Sequence, residues 1–161
     1  MVVKTKNNGF NKYKEAFKKL NSKKVAVGLF ETAGEKVITK GIVNEFGTKN
    51  AGKNKNVTIP ERSFVRSTYN KNYKKVAKDF TKIAKNISRG NYNVNAKLKE
   101  IGLKQELEIK KTINSLKIPS NALSTIKNKG FDNPLIETGE MRDKVSSKLV
   151  NKKVIGYNER I

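Results

Sequence analysis

Apolar side chains recur along this chain in long blocks at helical spacing, separated by short stretches in which they alternate. Phe10, Tyr13, Phe17 and Leu20 fall on one face of a helix over residues 9–20, with lysines opposite, and Asn7 or Asn8 is placed to cap it. Asn21-Ser22 breaks that period. Over 24–30, Val25, Val27 and Leu29 alternate with Ala26, Gly28 and Phe30, which predicts a strand. Thr32-Ala33-Gly34 is a turn. A second helical face, Val37 or Ile38 with Ile42, Val43 and Phe46, runs to Gly47, which is placed to end the helix in a left-handed conformation. Gly41 weakens that helix from within.

Residues 48–57 have no apolar face and carry Lys49, Lys53 and Lys55, a pattern that predicts a mobile surface loop. The chain is extended again at Val57 to Pro60, because the proline ring keeps the preceding residue out of helical angles. Pro60 or Ser63 then opens the longest helix, with Val65, Tyr69, Val76, Phe80, Ile83 and Ile87 on one face. Ser88-Arg89-Gly90 ends it. A second long helix over about 93–116 repeats Val94, Leu98, Ile101, Gln105, Ile109, Ile113 and Leu116. Two stripes joined by a short Gly-Asn link read as an antiparallel helical hairpin over about 61–117, its apolar faces serving as core.

Beyond it, a short turn of helix from Ala122 stops at Gly130, and Thr138 is placed to cap a single turn through Met141. Val145, Ser147 and Leu149 then alternate with Ser146, Lys148 and Val150, and residues 153–157 return, giving a closing strand pair at 144–157. The expectation is an α+β fold. A small, mostly antiparallel sheet packs against helices that include the long hairpin, in a single domain over 1–161.

Composition narrows the chemistry. The chain has 36 Lys and Arg against 14 Asp and Glu, a net charge of +22. Only Arg62, Arg66, Arg89, Arg142 and Arg160 are arginines, and the lysines are scattered through every predicted element. A surface for nucleic acid or an acidic partner competes with a bland reading, in which the charge is spread over solvated faces. There is no Cys and no His, so no thiol or imidazole nucleophile, base or metal ligand is available. Nucleotide-binding glycine patterns are absent. Glu106 and Glu108 point apart on a helix, and Glu137 and Glu140 flank a helix start, where negative charge is favoured. No enzyme activity, metal or cofactor is expected. No apolar run approaches the roughly 18 residues of a membrane span, and no signal-peptide pattern is visible, so the expected setting is cytoplasm-like, without a membrane partner.

Three motifs, taken in order, resemble one family. The first is V-A-V-G-L-F followed by I-V-N-E-F-G-T, the second I-P-E-R-S-F-V-R, and the third N-P-L-I-E-T-G-E-M-R before a closing strand. They are similar to the small neck and tail-completion proteins of tailed bacteriophages, in the phage virion-morphogenesis, head–tail joining group. The matching positions are Glu45, Phe46, Gly47 and Thr48; Ile59, Pro60, Arg62 and Phe64; and Pro134, Leu135, Thr138, Gly139 and Met141. Ser63 stands where the family often has Pro. The resemblance spans roughly residues 25–150.

It implies a non-enzymatic virion subunit assembled in the host bacterial cytoplasm, forming a homo-oligomeric ring of six or twelve copies. The implied neighbours are portal and adaptor proteins, a tail terminator or the tail tube, with DNA a candidate occupant of the channel. The tail terminator of a contractile phage-like particle is an alternative, as is a basic nucleic-acid-binding accessory protein. On the ring reading, Arg62 serves as a clamp to a carboxylate or to carbonyls and Phe64 as an apolar anchor, with ordinary core packing competing for Phe64. A cation at a helix N-terminus opposes the dipole, which favours a partner for Arg62. Lys49, Lys53 and Lys55 are the candidate loop contacts, to acidic partners or phosphates. The strand at 24–30 and the pair at 144–157 are expected near the subunit contact.

Overall fold

The computed structural model describes residues 8–151. Its fold is α+β, as the periodicities predict. The elements run α1 (Asn8–Ser22), β1 (Lys23–Gly28), a 3-10 turn (Glu31–Ala33), α2 (Glu35–Phe46), β2 (Thr48–Ala51), β3 (Val57–Ile59), α3 (Val65–Ser88), α4 (Val94–Ser115), α5 (Leu123–Lys129), α6 (Glu140–Asp143) and β4 (Ser146–Asn151). Strands β1 and β4 form one two-stranded sheet, and β2 and β3 form another. Asn7 and the return strand over 153–157 lie outside the described residues. Among the described residues β4 pairs with β1.

The chain forms two compact units. In the first, which takes in residues up to Ala26, Tyr73–Gly102 and residues from Lys148 on, Ala16, Ile83, Ile87, Val94, Leu98 and Ile101 are buried together. Phe17, Leu20, Val25 and Phe80 pack against them. In the second, Val27–Asn72 with Leu103–Ser147, the core is Ala33, Val37, Phe64, Ile109, Ile113, Leu135, Met141 and Val145. The stripe of α4 is thus buried as its spacing predicts, apart from half-buried Gln105 and Leu116.

Other faces depart from the periodic reading. Residues 48–57, expected to be a loop without regular structure, contain the antiparallel pair β2–β3, with Thr48 opposite Ile59 and Ala51 opposite Val57. Seven strand residues of mixed character do not make an alternating pattern, so pairing here is imposed by the contacts at the strand ends. The long helix begins at Val65, later than Pro60 or Ser63, leaving 60–64 non-helical. Ile42 and Phe46, placed on the inward face of α2, are 55% and 60% exposed, and Tyr69 is 62% exposed. In their stead the polar Thr68 and Asn72 are buried on α3. Thr68 Oγ1 donates to the Phe64 carbonyl or shares a hydrogen with Thr112 Oγ1 of α4, 2.6 Å from each.

Gly41 is buried because a Cβ there would collide with the Leu29 side chain and meet the Phe64 ring. What looks in the sequence like a weak point in α2 is the place where β1's exit and the core reach the helix.

Candidate functional site

The first two sequence motifs meet at Glu45. This residue lies in the last turn of α2 and is 6% exposed. Its carboxylate takes five donors. Oε2 accepts from the backbone N–H of Phe64 at 2.7 Å and of Val65 at 2.9 Å. Oε1 accepts from the Ser63 hydroxyl at 2.8 Å, the Arg66 N–H at 3.0 Å and Arg66 Nε at 3.1 Å. An α-helix leaves its first N–H groups without internal partners, and a side chain at the cap normally serves them. Phe64 occupies that position in α3 and has nothing to offer, so Glu45 caps the helix from another element. Negative charge at the positive end of α3 adds to the attraction. Burial raises the Glu45 pKa, but the bonds from Val65, Arg66, Ser63 and Phe64 outweigh it and hold the group below the usual carboxylate range. The site keeps Glu45 ionised with its acceptor capacity filled, which leaves it no role as a base.

Two arginines extend this latch. Arg62 is 6% exposed. Its Nε donates to the Pro119 carbonyl at 2.8 Å and an Nη to the Ser120 carbonyl at 2.7 Å, while its backbone N–H donates to the Asn44 carbonyl at 2.7 Å. The expected clamp is therefore one to carbonyls. Burial lowers the Arg62 pKa, and nearby Asp132 acts in the opposite sense. Arg66 donates to the Glu45 carbonyl at 2.8 Å and to Glu61 at 2.9 Å, and its guanidinium lies 4.7 Å from the centre of the exposed Phe46 ring. Gly47 permits the crossing. Its φ is 69°, and a Cβ there would stand 2.8 Å from the Glu61 backbone nitrogen and 3.0 Å from the Ile59 carbonyl oxygen. Pro60 is half-buried in that passing strand, and Phe64 is a core residue at 1% exposure.

The third motif arrives at the same place. Leu135 and Met141 are in the core, Pro134 and Gly139 are buried, and Gly139 has φ 84°. Thr138 was placed as the cap of a turn; the capping position is Gly139, and the Thr138 hydroxyl accepts from the Glu140 N–H at 3.3 Å. Ile59 and all five of these residues border a cleft of about 440 Å³, with Val37 of α2 beside them. The polar part of its rim includes Asn44, whose carbonyl accepts from Arg62, and Asn121, next to the gripped Ser120, with Lys40, Lys129 and Glu137. Lys40 and Glu137 pair at 3.0 Å in the open, and that contact with Lys40 is the main reason the Glu137 pKa lies below the usual range. Burial lowers the Lys129 pKa, Glu137 and Asp132 oppose it, and its Nζ donates to the Asn133 carbonyl at 2.8 Å. Asn121 Nδ2 is buried with no acceptor among the described residues.

Thus Glu45, Gly47, Ile59, Arg62, Phe64, Pro134, Leu135, Thr138, Gly139 and Met141 are brought together. Phe46 faces outward. Thr48 starts β2, and its hydroxyl accepts from the Asn50 N–H at 3.2 Å. Lys49, on β2, and Lys53 and Lys55, in the hairpin turn, are exposed. Sequence reasoning missed Asn44, Asn121 and Arg66. Asn residues are too frequent in this chain to stand out, and Arg66 lies one helical turn beyond Arg62, where a solvated arginine is ordinary.

Among the described residues no group of three or more acidic side chains gathers where it could hold a metal ion, and no helix is long and apolar enough to cross a membrane. Comparison with protein-family models, with curated proteins and with solved structures finds no match.

Proposed function

We propose that this chain is a ring-forming structural subunit of a tailed bacteriophage. In this reading it is a neck or tail-completion protein of the virion that joins head connector and tail by protein–protein contacts around the DNA channel. One observation carries the reading: three motifs, separated by long stretches of sequence, converge on a single latch and one adjoining cleft. The resemblance rests on those motifs in that order, and their joint use in one place gives the order a physical reason. The latch consumes its charged groups in holding backbone segments together. What remains available to a partner is the cleft and the apolar side chains exposed on the same unit, Ile42, Phe46 and Val57 among them.

A closed ring joins one face of a subunit to a different face of the next. The exposed pair Ile42 and Phe46 lies one turn apart on α2 and supplies an apolar contact on one such face. A segment of the neighbouring subunit or ring occupies the cleft on another.

Replacing Ile42 and Phe46 by Gln keeps helix-forming side chains and removes the patch. The double variant should keep a melting temperature within a few degrees of wild type, as surface substitutions do. Particle yield in a complementation assay should fall at least tenfold, a loss of about 1.4 kcal/mol or more per contact if it follows subunit affinity. A folded double variant that supports wild-type particle yield would remove this face from the assembly account.

A further inference from the structure

The charge is unevenly divided. The described residues of the unit built on α1, the C-terminal part of α3 and the N-terminal part of α4 carry fifteen basic and three acidic side chains, a surplus of twelve. The other unit is the larger, yet its sixteen basic side chains are set against ten acidic ones, a surplus of six. Within the first unit the excess has an axis. Lys74, Lys78, Lys82, Lys85 and Arg89 follow one another at spacings of four, four, three and four along α3 and its last turn, and all are exposed. At 100° per residue they occupy an arc of about 80°, opposite the buried Ile83 and Ile87, and they extend over about 22 Å. Arg89 remains in the helical path because its N–H donates to the Lys85 carbonyl at 3.2 Å.

Such a row is unfavourable to its own helix, since like charges three and four residues apart repel. Among the described residues only Lys82 of the row has an acidic partner, Asp79 at 3.4 Å. Lys74 lies near the Tyr73 ring, 5.9 Å from its centre, and Lys78, Lys85 and Arg89 have no acidic partner among the described residues. The side chains beside the row are Ala77, Thr81 and Ser88 on one flank and Lys75 and Asn86 on the other. A protein interface would put an apolar or aromatic anchor among these charges. Lysine acts as a point charge without the fork that reads bases or carboxylates. A straight row of four lysines and one arginine, with Tyr73 near one end and Asp79 beside Lys82, matches a partner that presents phosphates in a row.

We infer that this face of α3 binds the phosphate backbone of duplex nucleic acid without regard to sequence. The inference stands on the charge distribution and does not depend on the ring assignment.

The test measures binding of the whole chain to a short fluorescent DNA duplex of mixed sequence by anisotropy, over a salt series. Each phosphate neutralised contributes about −0.9 to the slope of log K against log salt, so five contacts give about −4.5. Between 50 and 200 mM salt this corresponds to a loss of roughly 500-fold in affinity. Converting Lys74, Lys78 and Lys85 together to Gln should bring the slope to about −1.8 and the loss to roughly tenfold. Gln is a good helix former and these sites are exposed, so helicity by circular dichroism should be unchanged. Converting Lys49, Lys53 and Lys55 to Gln, on the other unit, should leave the slope as in wild type. The inference is overturned by absence of binding at low salt, or by an unchanged slope in the α3 triple variant. It is equally overturned by an equal slope change in the hairpin triple variant, or by polyglutamate displacing the duplex as well as unlabelled DNA does.

Discussion

Glu45 belongs to one helix and completes another. Its five hydrogen bonds hold the end of α2 to the start of α3, and without them the Phe64 and Val65 N–H groups would be buried or half-buried orphans. Because its pKa is lowered in the folded chain, this group contributes stability that is fully present above the unfolded carboxylate value of about 4.3 and is lost as pH falls through the folded value. Glu45→Gln should lower unfolding free energy at neutral pH by about 1–3 kcal/mol, since charged hydrogen bonds are replaced by fewer neutral ones. Its denaturation midpoint should also vary less than that of wild type below about pH 4.3. Parallel acid limbs in the two proteins, measured by urea denaturation, would show that the latch is not a source of the pH dependence. At this scale the sequence made some residues readable and not others. Gly47, Pro60 and Phe64 carry backbone or packing signals of their own. The meaning of Glu45 depends on a helix start nineteen residues away, and nothing local to E-F-G-T announces that the carboxylate is a cap.

At the scale of elements, periodicity located the helices, α4's inward face and most of the α3 stripe, while it placed Ile42 and Phe46 of α2 and Tyr69 of α3 inward although they are exposed. Period fixes which residues share a face; a neighbour decides which face is buried. Thr112 of α4 stands against Thr68, so the first turns of α3 bury a polar side and leave Tyr69 outside. The β2–β3 hairpin was invisible for a related reason. Its strands are four and three residues long, and it is pinned where Gly47 lets the chain at Ile59 and Glu61 pass within van der Waals reach. The open end is therefore held and the turn at 52–55 is free to vary. Replacing residues 52–56 by Asn-Gly, a favoured two-residue hairpin turn, should change the melting temperature by no more than a few degrees and lower particle assembly. Wild-type assembly from the shortened hairpin would show that its tip, with Lys53 and Lys55, meets nothing in the particle.

For the whole molecule, a net charge of +22 is an obstacle to packing copies side by side, because self-repulsion grows with each subunit added. A ring of such subunits needs anions within reach. On the inference drawn from the uneven division of charge, they are bound by the unit carrying the α3 row, whereas the residues of the latch and cleft belong to the chain's other unit. Assembly contacts and charge contacts thereby use different parts of the sequence. The central claim is that copies of this chain close into a ring in a phage particle. Electron cryo-microscopy of purified particles, with this chain tagged, tests it most directly. The account predicts a closed ring of six or twelve tagged copies at the head–tail junction or the top of the tail, with a neighbour's segment in the cleft beside Asn121. Particles that lack the chain, or carry it as isolated copies off the channel axis, would contradict the account.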